Sequence, residues 1–346
     1  MNIGIAEVLY PKGHKELDIN TINILSRVAN IYCFNNKDFF DVGRIADKVN
    51  VIDLRWQFDL QHFEKLITYT RLLNLKEIAN AIRKKRIKLD VLIFLSFDNS
   101  LIPYVNKIFD GIEIYVIHHD DVDKIPDNLK SNEKEYYNSI KHLVYEEYIK
   151  EGLINKTDCN FNNVFVIPHP LVFDYKREKN KTNEKIVLGI GWSNDEQLIN
   201  MAIEYSKKIK DPLPYKIILR SKKQSYKDCN LEVISGFLSK EKYDHLICNA
   251  DIQIILYPDS FKYRYSATFQ TAVLQNSFVL VNDVFIGNEL KKLYPNSVYI
   301  IKSIQELFEI DESLFQKKPH EEDIKHLILS HDDDYIETAF RNIFDL

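Results

Sequence analysis

The sequence predicts an α/β protein built from two doubly wound parallel sheets, one in each half of the chain. Three observations predict it. Short β-branched runs alternate with longer amphipathic segments throughout, the pattern of parallel strands covered by helices on both faces. The alternation breaks once, at "DYKREKNKTNEK" (174–185), which is polar, charged and free of apolar periodicity, as interdomain linkers are. The alternation then restarts, and 346 residues at 45% hydrophobic suffice for two cores of ordinary size.

In the first half the strand candidates are "NIGIAEVL" (2–9), "NIYCF" (30–34), "VNVIDL" (49–54), "LDVLIFLS" (89–96), "IEIYVIHH" (112–119) and "NVFVIPH" (163–169). Helical patterns fall between most of them, among them "DINTINILSRVAN" (18–30), with apolar residues at three- and four-residue spacing. In the second half the candidates are "KIVLGIG" (185–191), "YKIILR" (215–220), "LEVIS" (231–235), "DIQIILYP" (251–258), "FVLVND" (278–283) and "SVYII" (297–301). The tail "DDYIETAFRNIFDL" (333–346) reads as one last amphipathic helix. The expected division is a first domain over 1–172, a linker over 173–184, a second domain over 185–330 and a closing helix over 331–346. No short-period repeat and no low-complexity tract interrupts it.

A net charge of −5 argues against bulk nucleic-acid binding. Cys33, Cys159, Cys229 and Cys248 have no CxxC spacing, so reduced thiols of a cytoplasmic protein are expected, not a metal site or a disulfide framework. "MNIGIAEVLY" lacks the charged and apolar parts of a signal peptide. No apolar run approaches the roughly 20 residues that span a bilayer.

Open α/β sheets bind ligands outside the carboxyl ends of their strands, so the loops there carry the candidates. In "GIGWSNDEQLINMAIEYSKK" (189–208) a strand ends in Gly189 and Gly191, and Ser193 with Glu196 reads as a capping box. Gly191 either admits a ligand close to the backbone or simply makes a tight turn. In "ILRSKKQS" (218–225) Arg220 ends a strand, followed by Lys222 and Lys223; these cations would neutralise a diphosphate or belong to a solvated loop. "YRYSATFQTAVL" (263–274) should open a crossover helix at Ser266, Ala267 and Thr268, with Arg264 beside it. Free N–H groups, two hydroxyls and a cation suit an anion, although a plain serine cap would look the same. "LKEIANAIRKKRIK" (75–88) is a basic helix end, there to offset the helix dipole or to meet anionic lipid headgroups.

The order of these pieces resembles the GT-B glycosyltransferases, particularly the large retaining class (glycosyltransferase family 4-like). The matching stretches are "SGFLSKEKYDHLICNADIQIILYPDS", then "YRYSATFQTA", then "NSFVLVND". In the first half, "LYPKGHKELDINTINILSRVANIYCF" is similar to the family's first loop and helix, "IYVIHHDD" to its "vvHD" strand end, and "VFVIPHPL" to its "v-IPHGv" segment. The resemblance spans most of the chain at a distance. It implies two Rossmann-like domains about a cleft, a last helix that returns to the first domain, and a UDP- or GDP-sugar as donor substrate with no permanently bound cofactor. It implies a glycan or lipid-linked acceptor in bacterial surface polysaccharide synthesis, at the cytoplasmic face of the membrane.

Residue by residue, the resemblance puts the nucleobase against Gly236, Phe237 and Leu238, and the diphosphate against Gly191, Arg220, Lys223, Arg264 and the Ser266–Thr268 turn. It puts a strand-end histidine at the donor sugar or leaving group. His118 and His119 alternate on an extended strand, so one of them faces that way, with His118 preferred and Asp120 beside it. The family works without a metal, so no metal is expected at "HHDD". The chain departs from the family at its two glutamates: Tyr263 and Thr271 stand there, or Gln270 in a register shifted by one. That absence keeps a non-catalytic scaffold open, while a nucleotide-sugar epimerase would need carboxylates at these places. A dinucleotide oxidoreductase would need a glycine fingerprint after the first strand, which "AEVLYPKGHKELD" lacks.

Overall fold

A computed structural model describes residues 1–9, 14–36, 42–58, 67–171 and 184–346. The linker expected over 173–184 falls, except for Glu184, outside the described residues.

The first sheet holds β1 (Asn2–Ala6), β2 (Asn30–Asn35), β3 (Asn50–Asp53), β4 (Val91–Phe94), β5 (Glu113–Ile117), β6 (Lys141–Val144) and β7 (Val164–Val166). Their order is β3-β2-β1-β4-β5-β6-β7, all parallel. The second sheet holds β8 (Ile186–Gly189), β9 (Lys216–Ser221), β10 (Tyr226–Lys227), β11 (Leu231–Ser235), β12 (Ile252–Ile255), β13 (Phe278–Asn282) and β14 (Val298–Ile301). Its order is β10-β11-β9-β8-β12-β13-β14, with only β10 antiparallel among the described strands. Each order reverses once, between β1 and β4 and between β8 and β12, which is where doubly wound sheets open for ligands.

The helices that cover the first sheet include α1 (Lys15–Val28), α2 (Ile67–Lys85), α3 (Ile102–Ile108), α4 (Ser131–Asn138) and α5 (Glu147–Thr157). The second sheet carries α6 (Glu196–Ser206), α7 (Lys240–Asn249), α8 (Ala267–Leu274), α9 (Phe285–Leu293) and α10 (Glu321–Ser330). α11 (Asp333–Ile343) follows.

Every residue of β4 and β8 is buried, as continuous β-branched runs in a parallel sheet require. Chain contacts gather into two units. One is Met1–Val172 with Tyr263–Tyr265 and Leu329–Leu346; the other is Phe173–Lys262 with Ser266–Ile328. In the first unit α11 lies on α1: Arg27 on α1 reaches Asp333 at 2.6 Å, and Ile336 and Phe340 are fully buried in the core.

The second core centres on Ile199, Leu219, Ile252 and Leu280, from α6, β9, β12 and β13. Two local expectations change. β6, "KHLV", is a strand although its second residue is a histidine, because that ring is buried and hydrogen-bonded. The cap of α6 is Asp195, which accepts from Gln197 N at 2.6 Å and Leu198 N at 3.1 Å, and not Ser193. Glu196 instead accepts from Ser221 Oγ and Lys222 N, both at 2.6 Å, tying α6 to the end of β9.

Candidate active site

In the first unit the chain leaves β5 through His118–His119–Asp120–Asp121. His118 and His119 take different partners. His118 is fully buried: Nδ1 meets Asp121 Oδ2 at 2.6 Å and Nε2 meets His142 Nδ1 at 2.9 Å. Both ring nitrogens are thereby committed inside the protein, so the preference for His118 over His119 as the substrate-facing ring is corrected.

His119 is half-buried and donates through Nε2 to the Leu95 carbonyl at 2.8 Å. Burial, with His14 adding to it, pushes its pKa down to about 3, so the ring is neutral near pH 7 and Nδ1 is an acceptor. A neutral ring so placed binds hydroxyl hydrogens; it does not supply protons. Asp120 pairs with Lys124 at 2.8 Å, and the carboxylates of "HHDD" therefore separate toward different partners.

Sequence reasoning passed over His14, just before α1. Its ring lies 4.8 Å from His119, and burial lowers its pKa against the opposing pull of Asp120. Its signal was a histidine between a strand and a helix start in "KGHKELD". Among the described residues, Glu7, His14 and Asp18 form the group whose ligand atoms lie close enough for a metal, within 4.8 Å.

Arg264 sits elsewhere than its sequence position suggested. With Tyr263 and Tyr265 it belongs to the first unit. Its Nε donates to Asp123 Oδ2 at 2.7 Å, and Asp123 Oδ1 takes the Tyr263 N–H at 2.8 Å. The Tyr148 hydroxyl donates to the Arg264 carbonyl at 2.7 Å, and Tyr265 stacks on His169 with centroids 4.4 Å apart. Arg264 is thus an ion-paired cation of the first unit, whereas Arg220 belongs to the second.

The second unit assembles the other candidates. Arg220 is the penultimate residue of β9 and is only 7% exposed. Its Nε donates to Gly236 O at 2.8 Å and its Nη1 to Ile190 O at 3.5 Å, while Nη2 is buried with no acceptor among the described residues. Burying a guanidinium hydrogen without an acceptor is costly, and a ligand oxygen would relieve it.

Gly236 turns the chain at φ +77°, a region that favours glycine. Phe237, next to it, is 82% exposed and stacks on Trp192 at 4.2 Å between centroids and 15° between planes. The Arg220 guanidinium lies 4.5 Å from the Trp192 ring centre. Trp192 was not singled out in the sequence, because one aromatic after a glycine turn carries no pattern.

Gly191 faces Thr268 at the start of α8: a Cβ there would meet Thr268 Cγ2 at 3.5 Å. Ser266 does cap that helix, accepting from Phe269 N at 3.2 Å, and it also bonds to the Tyr257 hydroxyl. Ala267 is exposed at the first helical position, and Gln270, one turn on, is fully buried with neither amide atom bonded to a described residue. Asn194, also missed, joins the strand ends by donating to Gly189 O at 2.7 Å. Leu238 packs on the small core beside α7, whereas the Lys223 side chain is exposed and only its backbone N–H is bound, by Ser221 Oγ at 3.0 Å. The second unit thus brings together Gly191, Arg220, Gly236, Phe237 and Thr268; Arg264 and the strand-end histidines belong to the first.

No family model and no curated protein matches the sequence. Solved structures do match. A glycosyltransferase from Rickettsia africae aligns over 99% of this chain and 98% of its own, at 13% identity and a TM-score of 0.65. Sucrose-phosphate synthase from Thermosynechococcus elongatus aligns over 100% and 98%, at 10% identity and a TM-score of 0.67. The lipopolysaccharide outer core galactosyltransferase WaaB aligns over 100% and 99%, at 12% identity and a TM-score of 0.60. Over its whole length the chain therefore has the fold these proteins share, the GT-B fold of glycosyltransferases.

Proposed function

We propose that the protein is a glycosyltransferase that moves a sugar from a nucleotide-diphosphate donor to a glycan or lipid-linked acceptor. One observation carries the donor half: Arg220, buried at a strand end with Nη2 uncommitted, beside Gly191, the N-terminus of α8 and the Trp192–Phe237 stack. Diphosphate oxygens would satisfy that guanidinium and the N–H groups of Ala267 and Thr268, and the exposed ring of Phe237 with the backbone of Gly236 and Leu238 would meet the base. A neighbour of the same fold, the Escherichia coli trehalose-6-phosphate structure, is described as bound with UDP-2-fluoro glucose, which favours a UDP-sugar.

His119 would accept a hydroxyl hydrogen of the substrate through Nδ1, with Asp120 beside it. The reaction retains the anomeric configuration, needs no metal and serves bacterial surface polysaccharide synthesis at the cytoplasmic membrane face, with residues 75–88 against the lipid. A scaffold without catalysis has only the missing glutamates in its favour, and a nucleotide-sugar epimerase has no observation.

Titration with UDP, GDP and their sugars while following thermal unfolding tests the reading. A ligand at a hundred times its dissociation constant stabilises the native state by about 2.7 kcal/mol. No stabilisation by any of them would refute it. The anomeric proton coupling of the product then decides stereochemistry. His14 favours a second reading on this point: held neutral by burial and close to Asp120, it has the protonation state of a base that takes the acceptor hydroxyl's proton, which would give inversion.

A further inference from the structure

The first unit contains a cavity of about 380 Å³ that none of the candidate donor residues touches. Its wall includes Arg71, Asp98, Asp121, Lys124, Glu133 and Tyr136. The volume suits one or two sugar rings. The charges of the wall are the informative part. Arg71 is ion-paired with Asp98, and Lys124 with Asp120 at 2.8 Å. Glu133 accepts from Lys130 N at 2.8 Å, and its negative charge has no ion-pair partner among the described contacts.

Asp121 is the wall residue with a chain of imidazoles behind it. The Tyr137 carbonyl can only accept, so His142 Nε2, 2.9 Å away, carries its hydrogen. Burial pushes the His142 pKa down to about 3, so the ring is neutral and Nδ1 is bare. That nitrogen accepts from His118 Nε2–H at 2.9 Å. His118 Nδ1 and Asp121 Oδ2 are then hydrogen-bonded at 2.6 Å. The chain fixes one carboxylate oxygen of Asp121 inward, and Asp121 lines the cavity. Among the described wall residues both cations are ion-paired, while carboxylate oxygens and a tyrosine suit hydroxyls and the apolar face of a sugar ring.

We propose that this cavity takes an uncharged glycosyl group, with Asp121 accepting a hydrogen bond from one of its hydroxyls and His118 and His142 acting as positioning residues for that carboxylate. The assignment rests on the transferase reading and narrows its acceptor: the end that reacts is a neutral sugar and not a phosphorylated one.

The test uses the full chain with 15N-labelled histidine, titrated with methyl glucoside, methyl galactoside and glucose 6-phosphate. Methyl hexosides should move the His118 and His142 imidazole resonances, with glucose 6-phosphate at least about tenfold weaker. His142→Gln offers a carbonyl to His118 Nε2–H and an amide to Tyr137 O, so it should keep sugar binding. His142→Leu, which can do neither, should weaken it about tenfold or more. UDP affinity, measured by calorimetry, should be alike in both variants. Equal or tighter binding of the phosphorylated sugar would overturn the proposal, as would equal sugar affinity in the two variants or resonances that no sugar moves. Loss of UDP binding in the unaltered chain would instead sink the transferase reading, and the sugar shifts would still decide the cavity.

Discussion

Arg264 carries the same charge as Arg220 and sits two residues before the helix cap Ser266, which is why sequence alone made it a phosphate ligand. Its side chain is 15% exposed and that of its partner Asp123 is 7% exposed. Removing one member of such a pair leaves the other charge buried and uncompensated. Arg264→Ala should therefore destabilise the chain by about 3 kcal/mol in urea unfolding while leaving UDP affinity nearly intact, and Asp123→Ala added to it should recover part of the loss. Arg220→Ala should show the opposite balance, weakening UDP by about 2 kcal/mol, the scale of a charge-assisted hydrogen bond. The buried imidazoles set a pH dependence. His119 and His142 have native pKa values pushed down to about 3 from an ordinary 6.5. Below pH 6.5 the unfolded chain binds more protons at both than the native chain does, so the stability present above that pH is lost as pH falls toward 3. Each ring should contribute a slope of about 1.4 kcal/mol per pH unit in that window, and denaturation midpoints measured between pH 7 and 4 check it. A flat profile would mean that the rings open to water when charged.

At the scale of elements, most strands were legible because continuous Val and Ile runs have few other uses in a chain this long. Twelve of them come through at nearly the expected places, including β8 at Ile186–Gly189 and β13 at Phe278–Asn282. β6 was not legible: four residues headed by Lys141 and His142 carry no alternation, and only the partners that bury His142 make it a strand. β10 has two residues and exists only as an antiparallel partner of β11. The cap of α6 was misplaced because Ser193 and Asp195 both lie before it, and the choice depends on where β9 puts Ser221 and Lys222. The candidate site was legible where a strand end fixes a residue, as for Arg220 and Gly191. It was illegible where the residue's partner lies far along the chain, as for Arg264 with Asp123. Gly152 on α5 is of this second kind. A Cβ there would run into the Tyr263 ring, so this helix needs a glycine for a contact more than a hundred residues away. On helix propensity alone Gly152→Ala should stabilise by about 1 kcal/mol. Overpacking against the ring should win, with a net loss of about 2 kcal/mol measured by chemical denaturation, and Tyr263→Ala in the same chain should relieve most of it.

On the scale of the whole molecule, chain order and core membership diverge at the C-terminus. α11 is the last element, yet its apolar face belongs with the first residues of the chain: Ile336, Phe340 and Phe344 join the cluster that contains Ile3, Ile22 and Phe94. Arg27 and Asp333 hold its start at 2.6 Å, and Asp332 caps it by accepting from Tyr335 N at 2.8 Å. The exposed ion pair contributes little, so most of the attachment is the buried aromatic face. Phe340 is fully buried and stacks on Phe344 with centroids 6.1 Å apart. Phe340→Ala removes a whole ring from that core and should cost about 4 kcal/mol. Because the second unit has its own core around Ile199, Leu219 and Leu280, the loss should be confined. Hydrogen exchange on the variant should show protection falling in β1, β2, β4, β5 and the 263–265 segment, while β8, β9, β12 and β13 keep theirs. UDP affinity, which depends on Arg220 and its neighbours in the second unit, should then survive in a chain whose first unit opens readily. Uniform loss of protection across both sheets would show instead that the two units unfold as one cooperative body.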